Sequence, residues 1–159
     1  MSYGVEEDVW QIDPVTARVR PDDVLRNPVL IVVEPAQSLA RAVAEICDFL
    51  HVTLVTVSDP RDITNAFADA QPIAIIHEAD SVDCTVYDLL MIVAGHDPGL
   101  PVMLILPDAP QNRGALDAAQ RLWQLEEITL APQRPGIRAL IDFLFRAGRR
   151  YGRTHFMPV

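Results

Sequence analysis

Five short apolar runs, each followed by a stretch of helix length, constrain this chain more than any other feature. The runs are residues 29–33 (VLIVV), 52–57 (VTLVTV), 73–76 (IAII), 102–106 (VMLIL) and 128–130 (ITL). They are rich in Val and Ile and carry no charge, which suits strands buried on both faces of a parallel sheet better than strands with one wet face. The helix-like stretches between them fall at 38–50, 62–70, 83–94, 112–125 and 136–150. Five strand–helix units in series predict an α/β domain, a doubly wound five-stranded parallel sheet with helices on both faces. Punctuation fits this reading: Pro35, Pro60, Pro72, Pro101, Pro107, Pro132 and Pro135 all stand at segment boundaries, where a missing N–H matters least. In the first helix Leu39, Val43, Ile46 and Leu50 recur at steps of four, three and four and so share the face that meets the sheet.

The third helix breaks the amphipathic pattern. Val86, Tyr87, Leu89, Leu90, Met91, Ile92, Val93 and Ala94 leave it almost no polar face, and a helix that is apolar all round has to be covered all round. Two covers are open at this stage. One is the first 27 residues folding back with Val9, Trp10 and Ile12; the other is a protein interface, with a second copy of the chain or a different partner, centred on Tyr87, Met91 and Ile92.

A chain of 159 residues holds one compact domain. The expected division is an extension at 1–27, a folded body at 28–150 and a basic, aromatic tail at 151–159. All 13 basic residues are arginine, and their distribution is uneven: residues 28–145 hold sixteen acids against six arginines, whereas 146–159 hold four arginines and no acid. A body this acidic repels phosphate backbones, which argues against nucleic acid as the main partner. No apolar run approaches the ~20 residues of a membrane-crossing helix. The N-terminus, MSYGVEEDVW, is acidic where a secretory signal would be basic, so the expected location is the cytoplasm, with no membrane contact. Cys47 and Cys84 lie in apolar helix-like segments and read as reduced, buried thiols rather than a disulfide.

Over residues 28–150 the order and length of the segments resemble the response-regulator receiver family. Local echoes are VLIVVEP at the first strand, DSVDCTVYDLL entering the third helix, GLPVMLIL at the fourth strand and the Ala131-Pro132 step after the fifth. The resemblance implies a flavodoxin-like sheet and a role in two-component signal transduction. Active receivers hold Mg²⁺ with an acidic pair at the end of the first strand and accept phosphate on an Asp ending the third. They use a Thr or Ser and a Lys after the fourth and fifth. The chemistry explains each choice, since carboxylates suit a hard cation, a hydroxyl reads the phosphate and a cation neutralises its charge. Carried onto this sequence, the acidic pair falls on Val33 and Glu34, the acceptor on His77 or Glu78, the hydroxyl on Leu106 and the lysine on Ala131. No shift of alignment supplies a lysine to a chain that has none.

The resemblance therefore implies a pseudo-receiver with a degenerate phosphorylation site, not an enzyme and without a cofactor, that signals by binding a protein partner or a second copy of itself. In receivers the face of the fourth helix, fifth strand and fifth helix is the usual docking surface, and here it would present Arg121, Trp123, Arg134, Arg138 and Phe145. No output domain follows residue 150, so the expectation is a stand-alone module.

Other chemistries have weaker signals. The first strand–helix turn, Glu34-Pro35-Ala36-Gln37-Ser38, has no glycine to cradle a phosphate, and there is no GxSxG elbow. Ligands in open α/β sheets collect beyond the carboxyl ends of the strands, which would gather Glu34, His77, Glu78 and Asp108. The stretch HEADSVDC also places His77, Glu78, Asp80, Asp83 and Cys84 within eight residues. It reads either as a small-molecule or metal sensor site or as an acidic loop ended by Asp83 capping the third helix. An atypical phosphoacceptor is a further alternative. His51 and His96 stand at helix ends, where a cation suits the dipole.

Overall fold

Residues 30–33 are fully buried, and successive side chains enter opposite layers. Leu30 and Val32 join a core with Leu39, Val43 and Leu144, whereas Ile31 and Val33 join a second core with Val86, Leu89 and Leu116. This alternation is the period of two of a strand covered on both sides. A computed structural model of the chain describes residues 29–34, 38–69 and 71–150. The extension at 1–27, the tail at 151–159 and the fold-back of Val9, Trp10 and Ile12 lie outside the described residues.

The elements follow in the order β1 (Val29–Val33), α1 (Ser38–Leu50), β2 (Thr53–Val57), a 3-10 turn (Pro60–Asp62) into α2 (Ile63–Asp69), β3 (Pro72–Glu78), α3 (Cys84–His96), β4 (Val102–Ile105), α4 (Pro110–Trp123), β5 (Ile128–Ala131) and α5 (Ile137–Arg150). All strand pairs are parallel, in the order β2-β1-β3-β4-β5. This is the flavodoxin-like doubly wound sheet that the sequence predicts. Residues of α1 and α5 fill one face, and residues of α2, α3 and α4 fill the other.

Burial on both faces holds for β1, β3 and β4 but not for the edges. In β2 Thr53 and Thr56 are exposed, and β5 is half-buried throughout, because an edge strand has a neighbour on one side only. Pro72 opens β3, a position where its missing donor leaves the ladder intact. Pro110 opens α4 two residues earlier than the hydrophobic pattern indicates, as suits a residue whose φ is already helical. Both α1 and α4 end on left-handed residues, His51 (φ 58°) and Gln124 (φ 56°). After His51 the Val52 N–H reaches back to the Cys47 carbonyl at 2.8 Å. His51 thus closes the helix through its backbone.

The third helix is half covered by the described residues. Val86, Leu89, Leu90 and Val93 are buried, Tyr87, Ile92 and Ala94 are half-buried, and Met91 is 51% exposed. Asp83 caps the helix as its position predicts: its Oδ1 accepts from the N–H groups of Thr85 and Val86 at 3.0 and 3.2 Å. The expectation for Cys84 fails. Cys47 is buried, but Cys84 is exposed, because the first position of α3 faces away from the sheet; both thiols are free. Among the described residues no helix is long and apolar enough to cross a membrane.

Candidate functional site

The strand order reverses between β1 and β3, and α1 and α3 pack on opposite faces of the sheet, so the carboxyl ends of these strands are the switch point at which open α/β sheets have their ligand crevice. Glu34, the residue after β1, is only 3% exposed. Its carboxylate turns onto the first turn of α1, with Oε1 accepting the Leu39 N–H at 2.9 Å and Oε2 the Ala40 N–H at 2.7 Å. That turn has no acidic residue of its own. Glu34 supplies the negative charge that free helix N–H groups favour. Both of its oxygens are thereby occupied in holding the backbone.

His77 pairs with Val33 across the sheet and is 4% exposed. Its Nδ1 lies 2.8 Å from the Val33 carbonyl oxygen. A carbonyl only accepts, so Nδ1 carries the hydrogen and Nε2 of the neutral ring is a bare lone pair. Nε2 is buried and has no hydrogen-bond partner among the described residues. Burial holds the His77 pKa below its ordinary value, against the opposing pull of the Val33 carbonyl and of Asp83 and Glu78.

One residue further, Glu78 meets an arginine from a distant loop. The Arg134 Nε approaches Glu78 Oε1 and Oε2 at 3.2 and 3.0 Å, and Nη2 lies 2.7 Å from Oε1. The same Nη2 donates to Ser38 Oγ at 2.7 Å. This forked geometry is the one in which a guanidinium binds a carboxylate most firmly. At the other two aligned positions the chemistry is aliphatic. Leu106 is buried, its N–H donates to the Ala131 carbonyl at 2.9 Å, and Ala131 is half-buried.

Of the residues that the sequence gathers here, Glu34, His77 and Glu78 do lie together at the ends of β1 and β3. Asp108 is instead ion-paired with Arg113 on α4. Asp83 is engaged in its cap, where the Thr85 hydroxyl and nearby N–H groups hold its carboxyl below the usual range. Among the described residues no group of three or more His, Cys, Asp and Glu side chains is arranged to hold a metal ion. Two participants carry no signal in the sequence. Ser38 is one, and the other is Asn112, whose Oδ1 accepts from the Val82 N–H while its Nδ2 donates to the Pro107 carbonyl, joining the loops after β3 and β4.

The expected docking residues divide. Arg121 and Arg138 are exposed; Trp123 is half-buried and meets Tyr87 edge-on, with ring centroids 6.2 Å apart; Phe145 is half-buried against the core beneath α1 and α5. Ile92 packs against the opposite core. Arg134 differs from expectation, since its guanidinium is drawn over the carboxyl edge of the sheet by Glu78. Leu122 and Ile137, which no sequence pattern singles out, are 72% and 68% exposed.

Solved receiver domains share this architecture. The receiver domain of Francisella response regulator 1452 superposes with a TM-score of 0.59 at 14% identity, over 79% of this chain and 99% of that one. The signal receiver domain of an HD domain-containing protein from Pseudomonas fluorescens Pf-5 gives 0.62 at 16%, over 80% and 98%. A response-regulator receiver domain protein from Methanospirillum hungatei JF-1 gives 0.62 at 9%, over 79% and 98%. This chain has the receiver fold. No family model matches the sequence, and comparison with curated proteins gives no match either. The receiver likeness is therefore one of backbone and layer order. The side chains at the crevice are this chain's own: a capping glutamate, a buried imidazole, and a carboxylate held by arginine.

Proposed function

We propose that this chain is a receiver-fold signalling module, not an enzyme, that acts by binding protein and takes no phosphoryl group on an aspartate. The observation that carries this reading is the prior engagement of the crevice acids. Glu34 holds the α1 backbone through both oxygens, and Glu78 is forked by Arg134. The positions aligned with the hydroxyl and the lysine are Leu106 and Ala131, which can neither read nor neutralise a phosphoryl group. Intact-mass measurement after incubation with acetyl phosphate and Mg²⁺ tests this directly. The expected product is unmodified protein; a phosphoryl adduct on His77 or Glu78 would replace this reading with that of an atypical phosphoacceptor.

The contact surface proposed runs over α3 at Tyr87 and Met91 and over α4 and α5 at Arg121, Trp123 and Arg138. Met91 is the residue to change, because it is exposed, whereas Ile92 packs on the core and its loss would confound binding with folding. Light scattering should give a dimer for the full-length chain and a folded monomer for Met91→Asp. A wild-type monomer would place the contact with a different protein, and a dimer untouched by Met91→Asp would move it off α3.

A second reading, a small-molecule sensor, is favoured by the unpartnered Nε2 of buried His77. A ligand for that atom must donate a hydrogen bond. It should raise the melting temperature of the wild type and lose that effect in His77→Ala.

A further inference from the structure

The segment between β5 and the first buried residue of α5 has no apolar anchor. Residues 132–139 include no buried side chain; Pro135 is half-buried, and Ile137 is 68% exposed. Local stability follows buried apolar contact, so such a stretch opens readily unless something else holds it. Arg134, in the middle of it, holds it. The guanidinium makes three contacts with the Glu78 carboxylate at the tip of β3 and one with Ser38 Oγ on the first turn of α1. Among the described residues these are the side-chain hydrogen bonds that join 132–139 to other elements. Pro132 and Pro135 restrict φ on either side of the arginine and leave the loop little slack.

We propose that the Arg134–Glu78–Ser38 contact is a conformational latch. It straps the β5–α5 segment, with the exposed first turn of α5 at Ile137 and Arg138, across the carboxyl edge of the sheet to the start of α1. The latch requires arginine: Nε and Nη2 span both carboxylate oxygens while Nη2 also reaches the hydroxyl, and the single ammonium of a lysine has no such fork. It opens when substitution removes the carboxylate at residue 78 or the guanidinium at residue 134. The amides of Leu39 and Ala40 stay bound throughout, because their acceptor is Glu34. The latch stands on contacts within the chain and holds whatever docks on the α5 surface, so its failure and that of the binding reading are separate results.

Amide hydrogen exchange on the full-length chain tests it, comparing wild type with Arg134→Ala, Arg134→Lys, Glu78→Gln and the double variant R134A/E78Q. The readout is the amides of Leu140, Ile141 and Asp142, whose helical acceptors lie within the strapped segment; the Leu140 N–H binds the Gly136 carbonyl at 3.1 Å. Exchange there should quicken about three- to tenfold in each single variant, the range open to a forked but part-exposed pair, and no further in the double variant. The strands β1 and β3 should keep their wild-type rates. The proposal is overturned if Arg134→Ala leaves these amides unchanged, if β1 and β3 quicken equally, or if the double variant sums the two single effects.

Discussion

Neutral His77 has one tautomer available, with hydrogen on Nδ1 and the lone pair on Nε2, because the Val33 carbonyl accepts at 2.8 Å. Burial, which disfavours the charged ring, holds the folded pKa below the ordinary value, and protonation would also leave a buried N–H with no acceptor among the described residues. An unfolded chain takes up this proton near pH ~6.5, and the folded chain only at lower pH. The stability given by the neutral ring is therefore complete above pH ~6.5 and is lost as pH falls through the folded pKa, with a limiting slope of about 1.4 kcal/mol per pH unit. Denaturant unfolding at steps between pH ~7.5 and ~5.5 should show that decline in wild type and its removal in His77→Leu. Asp59, held down to about 2 by Arg61, titrates in a more acidic range and leaves that window clear. The cysteines make a second contrast at this scale. Burial pushes the Cys47 thiol up to about 11, whereas Cys84 is exposed. A thiol reagent should modify Cys84 in the native protein and reach Cys47 only on unfolding.

Two helices here, α1 and α3, begin where a carboxylate meets free N–H groups, and the two cases differ in reach. Asp83 caps α3 from the adjacent position, so DSVDCTVYDLL announces it in the sequence. Glu34 caps α1 from outside the helix, four residues before Ser38, and is buried while doing so. Glu34→Ala should accordingly destabilise the chain by about 2–3 kcal/mol in denaturant unfolding, leaving two amides near buried surface without an acceptor. Asp83→Ala should cost about 1 kcal/mol, because water reaches that exposed cap. Equal losses in the two variants would refute the assignment of Glu34 as a buried cap. The face of α1 toward the sheet was legible from apolar spacing alone, whereas α3, apolar almost all round, showed its sheet-facing side at Val86, Leu89, Leu90 and Val93 only in the structure. The cap at Glu34 was not, because its signature, an acid ending a strand, is the same one that suits a metal-binding pair.

For the molecule as a whole, sixteen acids against six arginines over residues 28–145 place like charges on a compact body. Self-repulsion of this kind is screened within about 8–10 Å at moderate salt. Raising ionic strength from about 0.02 to 0.3 M should therefore increase the denaturation midpoint of the full-length chain. A falling midpoint would mean that exposed ion pairs such as Arg61–Asp59 and Arg113–Asp108 outweigh the repulsion.

The sequence by itself determined the layer order, the parallel sheet and the absence of lysine from the crevice, because apolar periodicity and residue identity are local properties that no packing alters. Only the tertiary structure decided what Glu34, His77 and Glu78 do. The strand register sets His77 against Val33, and chain closure over 56 positions brings Arg134 to Glu78. Partnerships of that range depend on how the layers stack, and no spacing along the chain encodes them.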